Sequence, residues 1–324
     1  MKKLFKALLI IAALLILAFY LLIVPYFVGM ITDYEPYTFE RVLSNPEMIE
    51  SYGIEENRNP ADYGFSNYEE VTYKTIFDDL TLNGWWVPAA KEGIQQTLII
   101  SHGRTSNRLK TMKYLEIVKD YGLDTLYNVF IPDHRNSGKS QPAKTALGYE
   151  FAEDIVAAMT MLNGREGQRE FTLWGFSMGA MASAVAVNRP DLVDYIKREN
   201  LTVNKLILAS PLSHIKETSW VEGQRIGVPK LIFEQAWNSF DDEVDNWSEQ
   251  MRFSYLLSNN KYPTLVLYGT GDATTPHTIL EEEIEGQYHV FPIMFKGADH
   301  VQLYTQPQFK ERYGSKVNEF LRMD

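Results

Sequence analysis

The chain has 324 residues, 45% of them apolar, which is enough for one large domain or two small ones around a genuine core. It contains no cysteine, which excludes a disulfide framework, a thiolate nucleophile and a zinc–cysteine site and leaves serine, histidine and carboxylates to carry chemistry. The net charge is −11, and three of the 31 basic residues (Lys2, Lys3 and Lys6) precede an apolar segment, so the remainder sets 28 basic against 42 acidic side chains and disfavours nucleic acid as a partner.

From Ala7 to Ile31 no residue is charged. At 1.5 Å per residue, Leu4 to Val24 as a helix extends about 31 Å, one hydrocarbon thickness. A buried core helix would carry a polar stripe. A secretory leader would have a shorter apolar run and a small-x-small cleavage site, whereas this run continues into Tyr26-Phe27-Val28-Gly29-Met30. Residues 1–31 are therefore expected to form an uncleaved transmembrane anchor. The lysines before it, with Asp33 and Glu35 after it, place the N-terminus in the cytoplasm and the rest of the chain on the extracytoplasmic side. Residues 32–62, with Pro36, Pro46 and Pro60 and no apolar period, read as a surface stalk with one short helix around Pro46–Tyr52.

Beyond the stalk, residues 63–324 alternate β-branched and aromatic runs with helical periods, the pattern of a mostly parallel sheet covered on both faces. Strands are expected at Val71–Phe77 and Thr81–Pro88, a hairpin, then at Thr97–Ser101, Tyr127–Pro132, Glu170–Trp174, Lys205–Ala209, Thr264–Tyr268 and His289–Phe295. Helices are expected at Arg108–Tyr121, Tyr149–Leu162, Met178–Asn188, Thr278–Glu285 and Pro307–Arg322. The alternation breaks once, at residues 212–262, where Trp220, Trp237 and Trp247 accompany a run of acids; this stretch is expected to form a small helical cap over the strand ends. Its tryptophans could line an acyl pocket or fill the cap's own core, and the second is favoured because Trp is highly buried on average.

Gly175-Phe176-Ser177-Met178-Gly179 follows an apolar strand and opens a helix rich in small residues. In a strand–turn–helix context this is a nucleophile elbow: the serine sits in strained backbone geometry, and the positions two before and two after must be small. The pattern alone would occur by chance in about one chain in ten of this length, so its placement carries the weight. A serine hydroxyl needs a base, and the base needs an orienting carboxylate. Asp272 follows the strand Thr264–Tyr268, and His300 follows the last strand, giving the order Ser, Asp, His. Five other histidines lie elsewhere: His102 beneath a strand-end loop, His134 in a turn, His214 in the cap, His277 after a proline and His289 at a strand start. Asp299 is the rival acid, but an adjacent residue rarely folds back onto its neighbour's imidazole.

Two further segments complete the pattern: Ser101-His102-Gly103-Arg104 at a strand end, and Asp133-His134-Arg135-Asn136-Ser137-Gly138-Lys139-Ser140 after the next strand. With these, the chain resembles the α/β-hydrolase superfamily, specifically its small membrane-tethered serine hydrolases, over about residues 58 to 324. The family's turn usually reads Asp-x-Arg-Gly-x-Gly-x-Ser, and Asn136 stands here at the first of those glycines, a mild departure because Asn tolerates left-handed backbone. The resemblance implies an α/β-hydrolase fold with an eight-stranded sheet, a Ser177–Asp272–His300 triad, and an oxyanion hole from the backbone N–H groups of Met178 and Arg104. The Arg104 side chain is expected at the surface rather than on an anionic substrate.

The function these residues suggest is hydrolysis of an ester or thioester, a small-molecule or acyl substrate, through an acyl-serine intermediate, with no metal or organic cofactor. Peptide or amide cleavage by the same residues and a catalytically silent scaffold are the alternatives. The scaffold has no need of an acid and a base at these loops. Epoxide and haloalkane chemistry is disfavoured, because those relatives place an aspartate where Ser177 stands.

Overall fold

The computed structural model describes residues 2–56, 58–259 and 262–323; Met1, Asn57, Asn260, Lys261 and Asp324, which fall in the expected anchor, stalk, cap and domain end, lie outside the described residues. Eight strands form one sheet: β1 (Glu69–Lys74), β2 (Thr81–Val87), β3 (Gln96–Ser101), β4 (Asn128–Asp133), β5 (Glu170–Phe176), β6 (Thr202–Ala209), β7 (Thr264–Gly269) and β8 (Val290–Phe295). Their spatial order is β1-β2-β4-β3-β5-β6-β7-β8. The pairs β1–β2 and β2–β4 are antiparallel, and every other pair is parallel. This is the α/β-hydrolase fold. After β3 the chain runs first to β4 on one side and later to β5 on the other, so a crevice opens at the C-terminal ends of β3 and β5, where ligands bind in such sheets.

The central strands are buried on both faces, and alternate side chains join two separate cores. Ile99, Leu173, Leu206, Leu208 and Val266 enter one core. Leu98, Ile100, Trp174, Ile207, Leu265 and Leu267 enter the other. The N-terminal part supplies α1 (Lys3–Thr32), α2 (Phe39–Leu43) and α3 (Pro46–Tyr52). Around the sheet lie α4 (Leu115–Asp120), α5 (Tyr149–Glu166), α6 (Met178–Ala186) and α7 (Pro190–Arg198). The cap contains α8 (Ile215–Arg225), α9 (Lys230–Glu243) and α10 (Phe253–Asn259); α11 (His277–Ile284) and α12 (Pro307–Leu321) end the chain. Helix α7 was not expected, although Pro190 at its first turn and Leu192 and Ile196 on one buried face are ordinary helix signals. The single helix expected at Arg108–Tyr121 is broken by a tight turn at Met112–Tyr114, which lays the Tyr114 ring on Phe176 with centroids 4.3 Å apart.

Helix α1 carries no charge from Ala7 onward and is mostly exposed until its last two turns. Pro25 cannot donate to the carbonyl one turn back, and the helix widens to π geometry at Phe19–Ile23 just ahead of it. On either side of the proline, Val24 and Val28 bury against Ala236 of α9, with Phe19 and Phe27 beside them.

The stretch that follows α1 corrects the expectation of a surface stalk. Its short helix is where the sequence places it: Asn45 caps Pro46–Tyr52, and Gly53 ends it at φ 68°. Yet Val42, Tyr52 and Ile54 are buried in the second core. Tyr37–Thr38 pairs in parallel with Ser137–Gly138, and the Asn107 side-chain amide donates to the Tyr37 carbonyl. An aperiodic segment can still be core when isolated apolar residues fit gaps between helices.

Candidate active site

Ser177, between β5 and α6, adopts φ 51° and ψ −115°, a conformation costly for a residue with a Cβ. The elbow's glycines explain how the turn closes. A Cβ on Gly175 would lie 2.2 Å from the Gly179 carbonyl oxygen, and one on Gly179 would lie 2.4 Å from that of His102. Only hydrogen fits at either place. The Ser177 N–H donates to the Ala209 carbonyl at 2.9 Å, which ties the turn to the end of β6.

Ser177 Oγ lies 3.0 Å from His300 Nε2, and His300 Nδ1 lies 2.7 Å from Asp272 Oδ2. Serine, imidazole and carboxylate thus form one hydrogen-bonded chain drawn from three loops at the C-terminal edge of the sheet. Asp299 is exposed and leaves the imidazole to Asp272. Asp272 Oδ1 accepts from the Thr274 and Thr275 amides, and Oδ2 also accepts from the Thr275 hydroxyl at 2.8 Å. Burial pushes this carboxyl's pKa up, but the hydrogen bond and charge of His300 with the Thr275 donors outweigh it and hold it below the ordinary carboxylate range. The Ser210 hydroxyl accepts from the Val301 N–H at 3.0 Å and so fixes the loop that carries His300.

Beside the serine stands the end of β3. A Cβ on Gly103 would come within 3.0 Å of both Ser177 Cβ and the Phe176 carbonyl, so the glycine keeps this approach open. Met178 and Arg104 line the same cavity, and among the described residues neither backbone N–H has a hydrogen-bond acceptor. Beneath them His102 is fully buried: its Nδ1 faces the Gly103 carbonyl and its Nε2 accepts from the His134 N–H. Burial first, and the neighbouring His134 second, lower its pKa well below the usual value, so it is a neutral strut. The Asp133 carboxylate accepts from the Arg108 and Lys139 amides and fills the space a Gly138 side chain would need. Asn136 adopts φ 63°, the left-handed geometry its position requires, and its amide reaches the Tyr34 carbonyl at 2.7 Å.

The Arg104 side chain differs from the expected surface arginine. Its guanidinium donates to the carbonyls of Met30 (2.5 Å) and Ile31 (3.4 Å) and stacks 4.4 Å above the Tyr34 ring. A cation thus meets unpaired carbonyls at the end of α1, where the helix dipole is negative. The cavity above Ser177 holds about 560 Å³, within the usual range for a small-molecule site. Phe27, Met30 and Ile31 of α1 line it together with Val228, Phe233 and Trp237 of the cap. Trp237 therefore serves both the cap's core and the cavity wall, whereas Trp220 and Trp247 pack among cap aromatics and Tyr149. Sequence reasoning missed Gly103, Thr275, Ser210 and the α1 residues. The Gly-Asp-x-Thr-Thr spacing after β7 was the one available signal, because it suits a carboxylate that gathers amides two and three residues on.

Comparison with known proteins points to the same class. A family profile described as alpha/beta hydrolase fold matches residues 96–236. The chain is similar to the uncharacterized protein YqkD of Bacillus subtilis (strain 168), 30% identical over 123 residues, or 37% of this chain and 39% of that protein. The match thus spans well under half of that relative's length. Among solved structures it is similar to the Pyrococcus furiosus esterase Pf2001, with 25% identity, a TM-score of 0.61 and coverage of 82% of this chain and 96% of the other. It also resembles an esterase from Thermogutta terrifontis at 19% identity and a TM-score of 0.51, covering 78% and 98%, a likeness of fold alone.

Proposed function

We propose that the chain is a membrane-anchored serine hydrolase that cleaves a carboxylic ester or thioester through an acyl-serine intermediate. The observation that carries this reading is the hydrogen-bonded chain from Ser177 through His300 to Asp272 at the floor of an apolar cavity. His300 Nε2 takes the Ser177 proton as Oγ attacks the acyl carbon, and the ionised Asp272 stabilises the imidazolium. The N–H groups of Met178 and Arg104 receive the developing oxyanion. The imidazolium then protonates the departing alcohol or thiol, and a water, deprotonated by the same imidazole, releases the acid and restores Ser177. Likeness to an esterase of Pyrococcus furiosus supports an ester in preference to an amide.

The anchor reading is supported by how α1 joins the domain. Its last turns supply part of the cavity wall, its end carbonyls meet Arg104, and the Thr32 carbonyl accepts from the Thr145 N–H at 3.0 Å. A leader removed on export would take these contacts with it. The lysines ahead of the helix then orient the catalytic domain to the extracytoplasmic side. The test is turnover by the full chain in detergent: 4-nitrophenyl butyrate should be hydrolysed, the matching anilide far more slowly, and Ser177→Ala should remove turnover of both. Faster cleavage of the anilide would make the protein an amidase instead.

A further inference from the structure

The route by which substrate reaches Ser177 is written in the way the cap and α1 share a wall. Helix α9 does not sit above the membrane segment; it runs alongside it. Leu231 and Gln235 form a groove with Leu15, Ile16, Phe19 and Tyr20 of α1, and the Tyr20 hydroxyl donates to Gln235 Oε1 at 3.0 Å. Further along, Ala236 meets Val24 and Val28. Counting about twenty residues of hydrocarbon core from Lys6, the apolar layer ends near Tyr26, so Leu15 to Tyr20 lie inside it. The start of α9, alongside them, then reaches below the headgroups into the outer part of that layer.

Its surface suits that depth. Ile226, in the turn joining α8 to α9, is exposed at 51% and Leu231, in the first turn of α9, at 71%, with Arg225 and Lys230 beside them in sequence. Exposed apolar side chains with cations beside them are the composition of a segment that inserts its apolar side chains just below the headgroups while the cations reach back to them. Ile226 and Val228 of this turn line the cavity, and across it stand Phe27, Met30 and Ile31. At 1.5 Å per residue, those three positions lie within about 8 Å of Tyr26 along the helix.

The geometry points to a lipid-facing mouth: the cap turn at Ile226–Leu231 dips into the bilayer, and the cavity takes its substrate laterally from the membrane. Resting on the hydrolase reading above, this names the substrate class as a long-chain acyl ester or thioester resident in the bilayer. The acyl chain lies between α1 and the cap, and the ester carbonyl reaches Ser177.

The chain has no native cysteine, so Leu231→Cys in the full-length protein carries a single environment-sensitive fluorophore. In phosphatidylcholine vesicles containing a lipid with a nitroxide near the head of its acyl chain, this label should be quenched about threefold more than one at Glu92→Cys, in the exposed loop before β3. Equal quenching overturns the membrane placement. In the same vesicles, Phe27→Asn should lower the ratio of kcat/KM for 4-nitrophenyl decanoate over the butyrate about tenfold, equivalent to about 1.4 kcal/mol. An unchanged ratio overturns the chain-binding role of α1. Failure of the unaltered protein to hydrolyse either ester, with the Leu231 label still quenched, overturns the hydrolase reading and the substrate class with it, while the immersed cap stands.

Discussion

Replacing Asp272 by asparagine tests more of the site than its size suggests, because the carboxylate's surroundings dictate how the amide must sit. Oδ1 accepts from two backbone amides, those of Thr274 and Thr275. Only the amide's oxygen can occupy that position without facing two donors. The new NH2 group therefore takes the place of Oδ2, 2.7 Å from His300 Nδ1, and offers a proton where one was previously accepted. Nδ1 must become the acceptor, which moves the imidazole proton to Nε2 and leaves nothing at 3.0 Å to take the Ser177 proton. The charge that stabilised the imidazolium is lost as well. Together these changes should reduce kcat on the order of ten-thousandfold, about 5.5 kcal/mol of barrier. The assay is kcat for 4-nitrophenyl butyrate with the full chain in detergent, alongside thermal unfolding to verify the fold. A folded Asp272→Asn protein retaining a tenth of the activity would refute the assignment of Asp272 as the group that orients His300.

Gly103→Ala adds a methyl 3.0 Å from Ser177 Cβ and the Phe176 carbonyl, neither of which can swing away, so the loop must shift and take the Arg104 N–H with it. The expected loss in kcat is about ten- to hundredfold, read by ester kinetics, and unaltered kinetics would remove Gly103 from the site. Arg104→Met removes both donors to the end of α1 and should speed amide hydrogen exchange around residues 31–33 about tenfold, consistent with hydrogen bonds to a charged group; unchanged exchange would show that the guanidinium is not what holds the helix. Burial, aided by Lys110, pushes the Lys113 amine down to about 7, although its Nζ donates to the Tyr52 carbonyl. The unfolded chain therefore binds more protons than the folded one from about pH 7 to pH 10, and this group adds stability as pH rises through that window. Lys113→Met should raise the unfolding temperature at pH 7 and flatten its rise toward pH 9, and parallel curves for the two proteins would contradict this.

How much of this could be read from the chain follows from where the constraint lies. The elbow was legible because steric exclusion falls on residues close in sequence: Gly175 and Gly179 sit two places either side of Ser177 and each meets backbone directly. The mostly parallel sheet followed from apolar strand runs alternating with helices, which leave few ways to cover both faces, whereas the spatial order of its strands emerged only in three dimensions. The partner of Arg104 was invisible because it is a pair of main-chain carbonyls more than seventy residues earlier, and carbonyls carry no sequence signature. The burial of Val42, Tyr52 and Ile54 was hidden for a related reason, since isolated apolar residues without a period resemble a linker. Asn136 stood out as a departure from a glycine pattern, but its bond to the Tyr34 carbonyl emerged only in three dimensions.

The most direct check is to treat the full chain with a fluorophosphonate and map the adduct by mass spectrometry. A single phosphonyl group on Ser177, lost in His300→Ala, is the expected result. No adduct while a control hydrolase is labelled, or an adduct on another residue, would contradict Ser177 as an activated nucleophile.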